Sequence, residues 1–301
     1  MNLLALLFAL ACERGLTHLL RLREARWLDR YCSRAGAWLA ARSGPGLLLG
    51  TVAVVLLPVL PIALVSGMLG SGLLGLPQFA FAVFVLLFSF GPRDLKDEVD
   101  DYVAALERGD RDAASAGARA LLEGDAERHA HGARAAIEEA VFVQANNRIF
   151  GVIFWFVVFG AAGAWLFRVS DLLRRRAAFE ALRANAPAGG DSFSGTLAKV
   201  HGALAWVPAR LAALSYAFAG SFEDAVGNWK AAVDGASQGL LDRSEDLLAR
   251  VGCGSLRPSL ASVPADGLDV ATARGAMRIV VRALWIWLVV VAALVLAGSA
   301  V

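Results

Sequence analysis

The sequence has few charged residues for its length. Asp, Glu, Lys and Arg make up 19% of the 301 residues, whereas hydrophobic residues make up 57%. Soluble domains contain about 25% charged and about 45–50% apolar residues, so part of this chain is expected to lie in lipid. Disorder is excluded, because it needs low hydrophobicity and high net charge. The net charge is only +2, and no basic cluster is interleaved with aromatic residues, so no nucleic-acid partner is predicted.

The motifs of common catalytic and metal sites are also missing. Cys12, Cys32 and Cys253 are widely spaced and form neither a CxxC pair nor a Cys/His framework, so neither a disulfide scaffold nor a zinc site is predicted. No phosphate-binding P-loop, dinucleotide fingerprint, serine elbow or HExxH helix occurs. The sequence therefore predicts no metal ligand and leaves any catalytic residue unidentified. It also lacks the alternating pattern of strands, so we predict an all-α fold.

Long uncharged apolar runs stand out instead. A membrane crossing needs about 18–20 apolar residues. Residues 47–66, 73–90 and 149–167 reach this length, and residues 283–298, a run of 16, are predicted as the fourth span. The first two predict a transmembrane hairpin. The GAAGA stretch within the third permits either close helix contact or a break.

Two further apolar stretches, residues 2–20 and 197–220, contain charged residues. If both cross the membrane, most loop arginines fall on one side, as the positive-inside rule expects for the cytoplasm. The three arginines at 174–176 then lie on the opposite side and are the exception to this rule. We predict a multi-pass helical bundle with four spans, or six if both weak stretches cross.

Polar segments complete the predicted organisation. In the loop before the third run, Gly109 is placed to end one helix and Asp110 to cap the next, which indicates a small helical cytoplasmic subdomain. Residues 252–268 are expected to be an irregular loop. The predicted regions are apolar or amphipathic helices over 1–46, the hairpin over 47–90, a polar helical loop over 91–148, a transmembrane helix plus a semi-apolar helix over 149–220, a polar helical region over 221–278 and a transmembrane helix over 279–301.

Charged residues next to or within the apolar runs are the first candidates for a binding site. A charge at bilayer depth costs on the order of 2.5–3.5 kcal/mol, so Arg210 needs either an anionic ligand or an acidic partner such as Glu13. Arg93 and Asp94 follow a Gly-Pro break where a span ends. They form either an ion pair at a helix start or part of a site.

Polar residues also precede the third run. Asn146, Asn147 and Arg148 are candidates to line a polar mouth, although Arg148 is equally suited to extend towards the membrane interface. Glu139, two to three turns earlier, is either a ligand contact or a helix-surface carboxylate.

Several blocks of the chain resemble the AmpE family. They include GPRDL at 91–95, LERGD at 106–110, NNRIFGVIFWF at 146–156 and WVPARL at 206–211. The resemblance extends from residue 1 to about residue 250. It implies a protein of the bacterial inner membrane, a regulatory signalling modulator associated with β-lactamase induction and the response to cell-wall antibiotics. The lipid bilayer is then its first partner, and a small-molecule ligand and a second copy of the chain are further candidates.

AmpE proteins share a superfamily with the CobD/CbiB synthases, which form an amide bond with ATP during cobalamin assembly. The alternative implied function is therefore an ATP-dependent synthetase, with ATP and Mg²⁺ as cofactors if that activity is retained. The synthases carry an acidic block, Glu-Asn-x-x-Asp-Gly, which an ungapped alignment places on residues 143–148. Val143 and Asn147 replace its acids and Arg148 its glycine. Because Mg²⁺ favours carboxylate ligands, this departure argues against the synthase reaction.

Overall fold

The computed structural model describes residues 5–9, 26–69, 76–90, 95–122, 133–184, 192–233, 239–260, 263–264 and 267–298. Glu13, Arg93 and Asp94 lie outside these residues. Within them every regular element is helical, which confirms the predicted all-α class. The helices are α1 (Arg26–Leu39), α2 (Gly44–Leu56), α3 (Leu60–Leu69), α4 (Leu76–Phe90), α5 (Leu95–Glu107), α6 (Arg111–Leu122), α7 (Ala133–Ala145), α8 (Gly151–Arg183), α9 (Phe193–Ala219), α10 (Phe222–Val233), α11 (Leu240–Leu260) and α12 (Leu268–Leu296).

In the part of the chain that the structure describes, three helical stretches are long and apolar enough to cross a membrane: Leu76–Glu107, apart from its residues 91–94, Ala136–Arg183 and Leu268–Leu296. Helices α2 and α3 together make a fourth, but they are bent by 45° at the break between them. These four correspond to the four predicted runs. The weaker stretch at 197–220 does form a helix, α9, but that helix is not among the stretches that are both long and apolar enough to cross a membrane.

Two of the predicted spans are broken helices. Pro58 lies in the turn between α2 and α3, and proline removes a backbone donor and crowds the preceding turn of a helix. In α8 the break is at Phe159 and Gly160, where Gly160 has φ 64° and ψ −151°. An L-residue rarely adopts this conformation, so glycine is the residue suited to it. The GAAGA stretch therefore interrupts the helix.

The described helices divide into two compact units, each built from distant parts of the sequence. The first comprises residues 1–92, 151–205 and 294–301. Its core joins α1 and α2 to the second half of α8, with Cys32, Leu39 and Leu173 fully buried. Tyr31 Oη donates a hydrogen bond to the Val54 carbonyl at 2.7 Å, which ties α1 to α2.

The second unit comprises residues 93–150 and 206–293. Its centre is aromatic: the Tyr216 ring packs at 5.0 Å from Phe142 and at 5.8 Å from Phe150. The Tyr216 hydroxyl donates to the Phe142 carbonyl at 2.9 Å, so the buried hydroxyl is satisfied. Because Gly252 has no side chain, the backbone of α11 packs directly against the Phe142 ring.

The local signals around Gly109 are confirmed. Helix α5 ends at Glu107, Gly109 has φ 71°, and Asp110 Oδ1 accepts a hydrogen bond from the Ala113 amide at 3.0 Å. The expectation of an irregular loop from residue 252 is wrong, because α11 continues to Leu260. There, Gly252, Gly254 and Ser255 face neighbouring helices at close range, so tertiary packing overrides the low helix propensity of glycine.

Candidate functional site

The second unit contains a buried polar site at the junction of α7 and α8. Residues Asn146–Phe150 form a single π-helical turn there. Such turns are rare and occur frequently at functional sites. The wider turn changes the direction in which consecutive side chains point, and Asn146, Asn147 and Arg148 are all buried on it.

Arg148 is held by two side chains from its own unit. Its Nη1 donates to Glu98 Oε2 at 2.9 Å, and its Nε donates to Gln144 Oε1 at 3.2 Å. The Arg148 and Glu98 side chains are only 9% and 11% exposed. Gln144 in turn donates to the Leu121 carbonyl at 3.4 Å. The alternative that Arg148 extends towards an interface is therefore wrong, because it forms a buried ion pair.

Asn146 supplies an unused hydrogen-bonding group. Its Nδ2 donates to Asn147 Oδ1 at 3.4 Å, but its own Oδ1 is buried and accepts no hydrogen bond from any residue that the structure describes. A buried acceptor without a donor costs about 1–3 kcal/mol. A ligand donor would remove that cost. We call Glu98, Gln144, Asn146, Asn147 and Arg148 the Asn146 site.

The structure places the other predicted residues as follows. Glu139 is half-buried on α7, two turns before Asn146. Arg210 is half-buried on α9, where its Nη1 donates to the Trp206 carbonyl at 2.9 Å and its guanidinium lies 3.9 Å from the centre of the Trp206 ring. Its predicted partner Glu13 lies outside the described residues.

No motif in the sequence points to Glu98, which is 50 positions from Arg148. The helical spacing of Leu95, Val99 and Tyr102, which lie on the buried side of α5, could have indicated Glu98. A carboxylate one position before Val99 borders that buried face.

The first unit contains another buried charged group, which we call the Asp171 cluster. The Asp171 side chain is fully buried and shared by three guanidinium groups. The contacts are Arg168 Nη1 to Oδ2 at 3.4 Å, Arg174 Nη2 to Oδ1 at 3.0 Å, and Arg175 Nη2 to Oδ2 at 2.8 Å. The fully buried His201 places Nε2 3.8 Å from Asp171 Oδ1. In the sequence, Arg174 and Arg175 stand out only as an exception to the charge balance between the two sides of the membrane.

Neither polar group has the composition of a metal site. Among the described residues, no three His, Cys, Asp or Glu side chains come together in a way that could hold a metal ion. At the Asn146 site the carboxylate that contacts the polar turn is Glu98, and it is already paired with Arg148. The described residues therefore do not fit Mg²⁺, which favours several oxygen ligands including carboxylates.

The comparisons with known proteins agree with the blocks found in the sequence. The profile described as "Regulatory signalling modulator protein AmpE" matches residues 1–301. The chain belongs to the AmpE family. Together with its long apolar helices, this membership indicates a membrane protein with a regulatory role.

A more distant relative comes from the same superfamily. The "Cobalamin biosynthesis protein CobD" of Stutzerimonas stutzeri (strain A1501) is 29% identical over 175 residues, which is 58% of this chain and 55% of that protein. The match thus spans about half the length of the CobD protein. No solved structure matches this chain.

Proposed function

We propose that this protein is an inner-membrane signalling modulator that links β-lactamase induction and the response to cell-wall antibiotics to a ligand bound at the Asn146 site. The observation that carries the regulatory part is the family match over residues 1–301. The four apolar runs support a multi-pass topology. If the weaker stretches 2–20 and 197–220 cross as well, the large polar segments lie together in the cytoplasm, as the positive-inside rule favours.

The Asn146 site supports the ligand part of the proposal. It combines the free acceptor of Asn146 with the immobilised charges of Arg148 and Glu98. Because these groups are buried, a ligand's hydrogen bonds to them would be little weakened by competing water. Glu139 and Arg210, with Glu13, Arg93 and Asp94, remain candidate contributors from the sequence.

The alternative function is an ATP-dependent amide-forming synthetase like the CobD proteins, and the 29% match to one of them favours it. The described residues at the aligned position argue against it, since Asn147 and Arg148 stand where the acidic block would lie.

The experiment compares strains that carry an inducible β-lactamase. Deleting this gene should change the β-lactamase activity induced by a sub-inhibitory β-lactam, and the wild-type gene should restore it. Asn146→Leu keeps the branching of the side chain but removes both the free acceptor and the Nδ2 donor, so it should behave like the deletion while the protein remains at normal abundance in the inner membrane. Ser244→Ala is the matched control, because Ser244 is equally buried in the same unit but bonds only its own helix, at the Leu240 carbonyl.

An unchanged induction level in the deletion strain would refute the regulatory proposal. Normal induction with Asn146→Leu would refute the ligand site while leaving the regulatory role in place. If the chain restored cobalamin synthesis in a strain without its CobD protein, the synthetase alternative would replace the proposal.

A further inference from the structure

The break in α8 borders a cavity inside the first unit. The cavity has a volume of about 260 Å³ and lies between the last turn of α3, the first turns of α4 and the break at Phe159 and Gly160. An added Cβ at Gly160 would meet nothing within 4 Å, in agreement with open space at the break. Backbone that leaves the helical path at membrane depth is tolerated only where protein buries it or where it lines a cavity. The broken helix and the cavity therefore form one candidate binding site.

The lining of this cavity is uncharged and rich in aromatic residues. None of the described residues that line it carries a charge. An ion would lose its hydration there without gaining an opposite charge, whereas an apolar ring would gain contacts with aromatic side chains. Four phenylalanines contribute to the lining: Phe79, Phe81, Phe156 and Phe159. The lining therefore favours an uncharged molecule with a cyclic apolar body.

Ser66 on α3 adds a polar group to the lining. Its Oγ is buried and makes no hydrogen bond to any residue that the structure describes. Two other buried hydroxyls of this unit bond their own helices instead. Thr51 Oγ1 donates to the Leu47 carbonyl at 2.8 Å. Ser89 Oγ donates to the Val85 carbonyl at 2.8 Å. The Ser66 hydroxyl is thus available to donate a hydrogen bond to a ligand, and we call the site the Ser66 cavity.

The mouth of the Ser66 cavity includes exposed apolar residues. Val158 and Phe159 line the cavity and are 48% and 61% exposed. Both belong to the membrane-length stretch Ala136–Arg183. Exposed apolar side chains on such a stretch face hydrocarbon, so the mouth opens towards lipid. Gln78, a second polar residue of the lining, is also exposed. A ligand therefore enters from the bilayer and has to be soluble in lipid.

The wall of the cavity at the break is held in place from behind. The Phe159 ring stacks on the Trp155 ring with 5.5 Å between their centres and 14° between their planes. Trp155 Nε1 in turn donates to the Leu204 carbonyl of α9 at 3.0 Å. Because these contacts fix the aromatic wall without a ligand, the cavity is preformed, as small-molecule sites usually are.

We propose that the Ser66 cavity binds an uncharged, lipid-soluble molecule that combines a cyclic apolar body with a hydrogen-bond acceptor such as a carbonyl oxygen. The phenylalanines surround the body, and Ser66 Oγ donates to the acceptor. A cavity of about 150 Å³ is large enough for benzene, so about 260 Å³ accommodates a bicyclic or substituted ring. The site belongs to the first unit and does not depend on the regulatory proposal.

The test measures thermal unfolding of the full chain in nanodiscs with three probes of similar size. The probes are α-tetralone, a bicyclic ketone; tetralin, which has the same rings without the carbonyl; and naphthoate, a bicyclic carboxylate. Ser66→Ala removes the donor, and Ala82→Leu adds volume to a small residue of the lining. Ser89→Ala is the matched control, because it also removes a buried hydroxyl from the same unit but one whose hydrogen bond stays within α4.

Tetralone should raise the melting temperature of the wild type and of Ser89→Ala in a saturable manner, because a ligand that binds only the folded state stabilises it. Ser66→Ala should weaken the apparent affinity for tetralone roughly three- to tenfold, the effect of losing one neutral hydrogen bond, and should leave the affinity for tetralin unchanged. Ala82→Leu should remove the saturable increase with both uncharged probes. Naphthoate should give no increase in the wild type. Partitioning of a probe into the bilayer affects all variants alike and does not produce these differences.

The proposal is overturned if tetralone gives no saturable increase in the wild type, or if naphthoate is as effective as tetralone. It is also overturned if Ser66→Ala changes the affinities for tetralone and tetralin to the same extent, because Ser66 then makes no hydrogen bond that depends on the ligand's acceptor. A folded Ala82→Leu that responds like the wild type would place the binding elsewhere. If Ala82→Leu does not fold, the contrast between tetralone and tetralin in Ser66→Ala still tests the proposal.

Discussion

Two helical glycines of the second unit should respond in opposite directions to the same substitution. Gly227 on α10 has open space around the position of an added Cβ. Ala is favoured over Gly in a helix by about 0.5–1 kcal/mol, so Gly227→Ala should stabilise the protein by that amount. At Gly252 on α11, an added Cβ would lie 2.3 Å from Cδ2 and Cγ of the Phe142 ring, far inside contact distance.

The Phe142 ring has little freedom to give way. It is fully buried and packs against Tyr216 with 5.0 Å between ring centres, and the Tyr216 hydroxyl holds the Phe142 carbonyl at 2.9 Å. Overpacking of this kind costs about 1–3 kcal/mol, which outweighs the gain in helix propensity. We expect Gly252→Ala to be net destabilising by about 1–2 kcal/mol.

Thermal unfolding in detergent, followed by circular dichroism, measures both variants. About 2–4 °C per kcal/mol is typical of domains of this size, so the melting temperatures of the two variants should differ by several degrees and lie on either side of the wild type. Adding Phe142→Leu should cost less in the Gly252→Ala background than in the wild type, because the smaller side chain relieves the overlap. Equal shifts of the same sign for Gly252→Ala and Gly227→Ala would refute the packing argument.

Three further predictions concern buried or strained groups. Arg148→Ala leaves the Glu98 carboxylate buried without its 2.9 Å partner, so the free energy of unfolding should fall by about 3–5 kcal/mol. Replacing both Arg148 and Glu98 with apolar residues should recover most of this loss in the same unfolding assay. Gly160→Ala introduces a side chain at φ 64° and should destabilise the protein by about 1–3 kcal/mol through backbone strain, although nothing lies near the added Cβ. An unchanged melting temperature would contradict this prediction. Burial, and secondarily the Glu180 carboxylate, raises the pKa of Cys32 to about 12. Maleimide should therefore leave Cys32 unlabelled in the native protein at pH 8 and label it after denaturation, as detected by peptide mapping. Because the thiol stays protonated below that pKa, its native labelling should increase only as the pH approaches it, and rapid native labelling at pH 8 would be inconsistent with the buried position.

The two polar groups show why a binding site was harder to predict than a span. Asn146, Asn147 and Arg148 were identified because they stand together in the sequence beside an apolar run. Glu98, which completes their site, comes from a helix 50 positions earlier. His201 reaches Asp171 across 30 positions and a change of helix. No local pattern specifies either contact.

Features that depend on neighbouring residues could be predicted without a structure. The apolar runs, the helix end at Gly109 with its cap at Asp110, and the possible break in GAAGA follow from side-chain polarity and local backbone preference. The positions of the buried charges, in contrast, depend on how the helices pack. Arg174 and Arg175, which looked like a topology exception, share a buried carboxylate, and Arg148 is buried as an ion pair. A buried charge is stable only with a partner at contact distance, and folding, rather than chain order, brings that partner into place.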